Sequence, residues 1–111
     1  MGIGRISYPG YRDTLDMLIV AFCRDYFARQ EVLRGGSSYS RRTRMEYEYV
    51  NRRIREAAIE IVGCESDVYI YEIAEKIGYA YSKVQGICEV TYKRKKREVK
   101  LNIARKLHLI D

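Results

Sequence analysis

A chain of 111 residues with 47% apolar side chains can bury a core of its own as one domain. Its net charge of +6 is not spread evenly: residues 93 to 111 hold eight basic and two acidic side chains, while residues 1 to 92 hold thirteen of each. A single histidine, His108, and three scattered cysteines, Cys23, Cys64 and Cys88, leave no zinc-ligand spacing and no nucleophile–base set, so neither a metal, a cofactor nor an enzyme is expected.

The charge imbalance carries more information than its size. A localised basic patch implies a polyanionic partner, whereas a uniformly basic surface would not. Thiols without a CxxC pair fit a reducing, cytoplasmic setting. The most apolar run, Leu15 to Cys23, is interrupted by Asp16 and falls far short of the ~20 residues of a membrane span.

Residues 1–12 open with three glycines and Pro9, and read as an extended lead-in. A first helix is expected from Asp13 or Thr14, with Leu15, Leu18, Ile19, Phe22, Tyr26 and Leu33 on its apolar face. The "GGSS" at 35–38 ends it. A second helix is expected from about Ser40 to Val62, with Met45, Tyr47, Val50, Ile54, Ala57, Ala58 and Ile61 facing inward and Gly63 as its stop. Two long helices joined by a short loop fold back as an antiparallel hairpin, here over residues 13–63.

The "CESD" at 64–67 reads as a loop ending in an N-cap, Ser66 or Asp67. A third helix then carries Val68, Ile70, Ile73, Ala74 and Ile77 inward and closes at Gly78, with Glu72, Glu75 and Lys76 on its outer face. A helical segment follows from Tyr81 or Ser82. A last stripe of Val99, Ile103, Leu107 and Ile110 again has helical steps.

The segment from Ile70 onward meets the steric demands of a helix-turn-helix. Ala74 supplies the small residue where the helices cross, Gly78 the turn, and Val84 and Ile87 the inner face of the second helix. Any amphipathic helix pair meets some of these demands, but few are followed directly by "YKRKKREVK". Three arrangements of the following residues stay open. The groove helix spans Tyr81 to Tyr92, with Gly86 as a blemish inside it. Alternatively it starts near Glu89, leaving 80–88 as a longer connection, or residues 89–101 form a β-hairpin wing.

The motif "EIAEKIGYAYSKV" resembles the helix-turn-helix of sigma-factor region 4. The ending "VTYKRKKREVKLNIARKLHLID" is similar to that of small phage or mobile-element transcription regulators of Gram-positive bacteria. The resemblance covers residues 70–111 and implies that residues 81–97 bind DNA.

The expectation is an all-α domain, its N-terminal hairpin packed on a C-terminal helix-turn-helix (residues 66–111) with a long basic last helix. Lys93, Arg94, Lys95, Lys96, Arg97 and Lys100 would neutralise phosphates of double-stranded DNA. Tyr81, Ser82, Lys83, Gln85 and Tyr92 would contact bases. Useful specificity would come from a homodimer, from RNA polymerase or another protein as partner, or from tandem sites. A different class stays open beside it: a protein–protein adapter, or an RNA-binding helical domain, whose helix-turn-helix is structural only. Arg41 to Arg55, interleaved with glutamates, read as a solvated face of ion pairs or as a supplementary contact surface. Eleven tyrosines read mainly as amphipathic packing residues.

Overall fold

The chain's structure, a computed structural model, describes residues 9–35 and 39–110. Every regular element among the described residues is helical. Four α-helices, α1 (Pro9–Arg34), α2 (Arg41–Val62), α3 (Ser66–Ala74) and α4 (Glu89–Lys106), are joined by 3-10 turns at Gly63–Glu65 and Tyr79–Tyr81. No described helix is long and apolar enough to cross a membrane.

α1 begins at Pro9, earlier than Asp13. Proline suits the first helical position because its missing N–H has no intrahelical partner there and its φ is preset. The expected lead-in is therefore wrong over residues 9–12, and residues 1–8 lie outside the described residues. Leu15, Ile19, Cys23 and Tyr26 form the buried stripe, with Val20 at its edge. Leu18, expected inside, is exposed because a step of three from Leu15 and one back from Ile19 sets it beyond the stripe.

Ser40 caps α2, its Oγ accepting from Thr43 N–H at 3.1 Å. Ile54, Ala57 and Ala58 are fully buried, and Asn51 is buried one turn earlier. Met45, also expected inside, is exposed: nine residues at about 100° each place it opposite Ile54. α1 and α2 lie antiparallel. Arg44 donates to the carbonyls of Val32 and Leu33 (both 3.1 Å), Asn51 accepts from Arg29 Nε at 2.7 Å, and Arg55 reaches the Tyr26 hydroxyl at 3.4 Å. Arg44 thus puts a cation on the carbonyl end of α1, where the helix dipole favours it.

Gly63 stops α2 with φ 61°, its N–H returning to the Ile59 carbonyl. The expected loop at 64–67 is not there: the 3-10 turn leads straight into α3 at Ser66, and no side chain caps that helix. α3 ends at Ala74, four residues before Gly78. The left-handed residue is Lys76 (φ 57°), and the Ile77 N–H closes the turn on the Glu72 carbonyl at 2.9 Å. Gly78 itself is extended (φ −90°, ψ 177°), so its expected role in the turn is corrected.

Residues 82–88 are irregular and α4 starts at Glu89. A helix over Tyr81 to Tyr92 is therefore excluded, as is a β-hairpin over residues whose backbone is helical from 89 to 106. Gly86 has φ 77°, which an α-helix cannot hold, and this fits its place in the connection. Val99 and Ile103 reach the core, with Leu107 and Ile110 packed at its margin. α4 is tied to α1 by Lys100–Asp16 (2.8 Å). It is tied to α2 by Lys106–Glu60 (2.6 Å) and by Asn102 donating to the Ala57 carbonyl (3.0 Å).

Candidate nucleic-acid interface

The candidate surface is built on α4 and on the connection that leads into it. α4 buries Tyr92, Val99, Ile103 and Ala104. Helical periodicity therefore turns Val90, Arg94, Arg97 and Arg105 outward, and all four are exposed. Arg94, Lys95 and Arg97 form no ion pair or side-chain hydrogen bond among the described residues. They are the cations most readily given to another molecule.

The other predicted phosphate ligands are partly engaged. Lys93 pairs with Glu89 one turn back at 2.7 Å, an exposed contact that water and salt loosen easily. Lys100 is held by Asp16. Lys96 points inward: its Nζ donates to the Ile77 carbonyl and lies 5.5 Å from the Tyr92 ring centroid. Burial, then the like charge of Lys100, holds its ammonium below the ordinary lysine range. Lys96 is thus a fastener of the segment after α3, and its assignment to phosphate is corrected.

The predicted base contacts divide in the same way. Tyr81 is 85% exposed, and Lys83 and Gln85 are exposed beside it. Tyr92 is 1% exposed and stacked on Tyr69, ring centroids 5.7 Å apart. Ser82 is half-buried and its hydroxyl is spent. Tyr92 and Ser82 therefore cannot reach a base from this arrangement.

What occupies both is Glu72, the residue expected on the outer face of α3. It is 1% exposed. Its carboxylate accepts from Ser82 Oγ, from the Lys83 backbone N–H and from the Tyr92 hydroxyl, each at 2.7 Å. A buried carboxylate must be met by donors or it loses several kcal/mol of hydration, and three charge-assisted bonds meet it here. Ser82 Oγ in turn accepts from the Val84 N–H at 2.9 Å, and Tyr79 donates to the Ile87 carbonyl at 2.9 Å. The irregular connection is therefore fastened from both sides and set against α3 and α4. Burial, then the bond to Glu72, pushes the Tyr92 phenol above its ordinary range, so it stays a donor.

Sequence periodicity missed Glu72 because an acidic residue at a helix step next to Ile73 reads as solvated. The available signal lay in Ser82 and Tyr92, two donors without a stated partner. Arg105, on the outward stripe, was also passed over as a site residue. His108 takes φ 61° at the end of α4 and is exposed, which fits a helix-end residue. Among the described residues no group of three metal-ligating side chains is assembled. Burial pushes the Cys23 thiol up to about 12, leaving it inert, while Cys64 and Cys88 are exposed.

No family model matches the chain, and neither a curated protein nor a solved structure resembles it significantly.

Proposed function

We propose that the chain is a small transcription regulator that binds double-stranded DNA through the first half of α4 and the connection before it. The observation that carries this reading is the stripe of Arg94 and Arg97 on α4, with Lys95 beside them, cations that have no partner within the described chain. Exposed Tyr81, Lys83 and Gln85 lie on a connection that Glu72 holds in one shape. A clamped connection meets DNA without first losing conformational entropy, which favours a defined contact over a loose electrostatic one. The sequence resemblance of residues 70–111 to sigma-factor region 4 and to small mobile-element regulators points the same way. In this reading α3 and α4 are the two helices of a helix-turn-helix with a long connection, and the antiparallel pair α1–α2 is its scaffold.

Lys93, Arg94, Lys95, Arg97 and Arg105 are the phosphate ligands in this reading, and Lys83 is a sixth. With 4 to 6 phosphates neutralised, log K should fall with log salt at a slope of about −4 to −5. Fluorescence anisotropy of labelled duplex DNA across a salt series tests this, with single-stranded DNA and duplex RNA as controls. An Arg94→Gln, Lys95→Gln, Arg97→Gln variant should lose most duplex binding and flatten the slope by about 2 to 3. Absence of duplex binding near physiological salt at tens of micromolar protein would overturn the reading. Tighter binding to duplex RNA than to DNA would overturn it in favour of an RNA-binding helical domain.

A further inference from the structure

The outer face of α2 is not used by the fold and is not a plain charged surface. Met45, Tyr49 and Ile59 are 60%, 43% and 48% exposed. With Arg52 and Glu56 between them they make one stripe at steps of four, three, four and three. Those steps are the seam spacing of a helix that pairs with another helix. Met45 stands between two shallow grooves, one against Arg42, Glu46 and Tyr49, the other against Leu33, Arg44 and Glu48. A knob flanked by holes is what a second helix would require.

The charges beside the stripe decide the partner. Along α2 they come in blocks: Arg41 and Arg42, then Glu46 and Glu48, then Arg52, Arg53 and Arg55, then Glu56 and Glu60. Each of these side chains keeps exposed surface. Beside a second copy of α2 running antiparallel, with Tyr49 level with the partner's Arg52, residues on the same flank of the seam face each other, and the two central blocks meet their opposites. Glu46 then lies beside the partner's Arg53, and Glu48 beside the partner's Arg55. Running parallel in register, the seam itself would set Arg52 against Arg52 and Glu56 against Glu56. Within one chain the Arg52 guanidinium already lies 5.8 Å from the Tyr49 ring centroid, so the cross-chain pair needs little rearrangement.

We infer that α2 is a self-association surface, and that the chain forms a two-fold homodimer by antiparallel pairing of α2 with α2 of a second copy. The inference stands on the α2 face alone and not on the DNA-binding reading. A two-fold axis requires an isologous contact, and this face is self-complementary in that sense. One helix of 22 residues is about 33 Å long. Its face is smaller than the ~800 Å² per partner of a standard interface, so the dimer is weak, with a Kd on the order of 10–100 µM.

Sedimentation equilibrium of the full chain without nucleic acid, from about 5 to 500 µM, is the test. The expected result is a reversible monomer–dimer equilibrium that a Met45→Glu, Tyr49→Glu variant shifts at least tenfold toward monomer, with its helical circular dichroism unchanged. Orientation is tested on a Cys64→Ser, Cys88→Ser background. A Met45→Cys, Glu56→Cys chain should oxidise to a disulfide-linked dimer, and chains with either cysteine alone should not. Monomer at every concentration, a dimer indifferent to the two glutamates, or efficient crosslinking of Met45→Cys alone would each overturn the proposal. Because no DNA is present, failure here leaves the DNA-binding reading standing, and failure of that reading leaves this result untouched.

Discussion

The Tyr92 hydroxyl donates to the buried Glu72 carboxylate at 2.7 Å, joining the start of α4 to the last turn of α3 across twenty residues of chain. The same carboxylate holds Ser82 and the Lys83 N–H, so one side chain closes the connection between the two helices. Tyr92→Phe keeps the ring packing and removes one donor, leaving Glu72 buried with two. That should cost about 1–3 kcal/mol. Glu72→Ala frees three donors at once and should cost more, with amide exchange of Lys83 and Val84 accelerating before that of α4. Urea unfolding and hydrogen exchange check both. Unchanged stability in Tyr92→Phe would mean that the connection is not held by this bond.

Alkali should act through the same phenol. The folded-state pKa of Tyr92 is raised above its ordinary 10.0, first by burial and then by Glu72. Below pH 10 both folded and unfolded chains hold the proton, and the interaction contributes in full. Above pH 10 the unfolded chain releases its proton first, so stability falls as pH rises. Tyr69, raised likewise by burial, adds in the same direction, while Lys96, lowered by burial, works against it. Comparing wild type with Tyr92→Phe at pH 9 and pH 11 removes most of these shared contributions. The variant should lose less stability over that interval than wild type.

Lys96 separates the fastening role from the binding role within one run of cations. Its Nζ lies at the Ile77 carbonyl and over the Tyr92 ring, whereas Arg94 and Arg97 face outward. Lys96→Met retains the stem and removes the charge. It should lower the urea midpoint by the worth of about one charge-assisted hydrogen bond, ~1.5–3 kcal/mol. It should leave the salt slope of DNA binding nearly unchanged. Arg97→Gln should do the reverse, lowering the slope by about 1 with stability within ~0.5 kcal/mol.

Much of the helical pattern was legible in the sequence. Ser40 before a periodic run and Gly63 after it bound α2 closely, because a capping hydroxyl and a left-handed glycine are local signals that need no tertiary context. The same reasoning failed after α3. Gly78 is a stop by composition, but the chain turns earlier, at Lys76, where the Ile77 N–H closes on the Glu72 carbonyl and the Tyr79 ring comes to lie against Tyr92 of α4. The site suffered for a related reason. Ser82 and Lys96 read as surface groups, and Tyr92 as a base contact even though a helix starting near Glu89 turns it inward with Val99 and Ile103, because a buried carboxylate such as Glu72 cannot be recognised by periodicity alone. Arg94, Lys95 and Arg97 were legible because nothing in the fold needs them. Asn51 shows the same limit on α2: an amide at a core step is invisible until Arg29 and the Tyr26 carbonyl are seen to satisfy it.

The turn after α3 offers a stabilising change. Lys76 sits at φ 57°, a conformation that costs an L-residue about 1–2 kcal/mol and costs glycine almost nothing. Its side chain is exposed, and among the described residues its backbone N–H alone is engaged, to the Ile73 carbonyl at 3.3 Å. Lys76→Gly relieves the strain but gives the unfolded chain more freedom, which offsets about 0.4–1 kcal/mol of the gain. The net should be a stabilisation of up to about 1 kcal/mol, read as a higher urea midpoint at an unchanged m-value. His108 ends α4 in the same way, at φ 61° with the Leu109 N–H on the Ala104 carbonyl, so His108→Gly is an independent repeat of the measurement. The two sites share no partner, and their effects should add within ~0.5 kcal/mol. A loss of stability at both would show that the left-handed turns are held by their side chains and carry no strain for glycine to release.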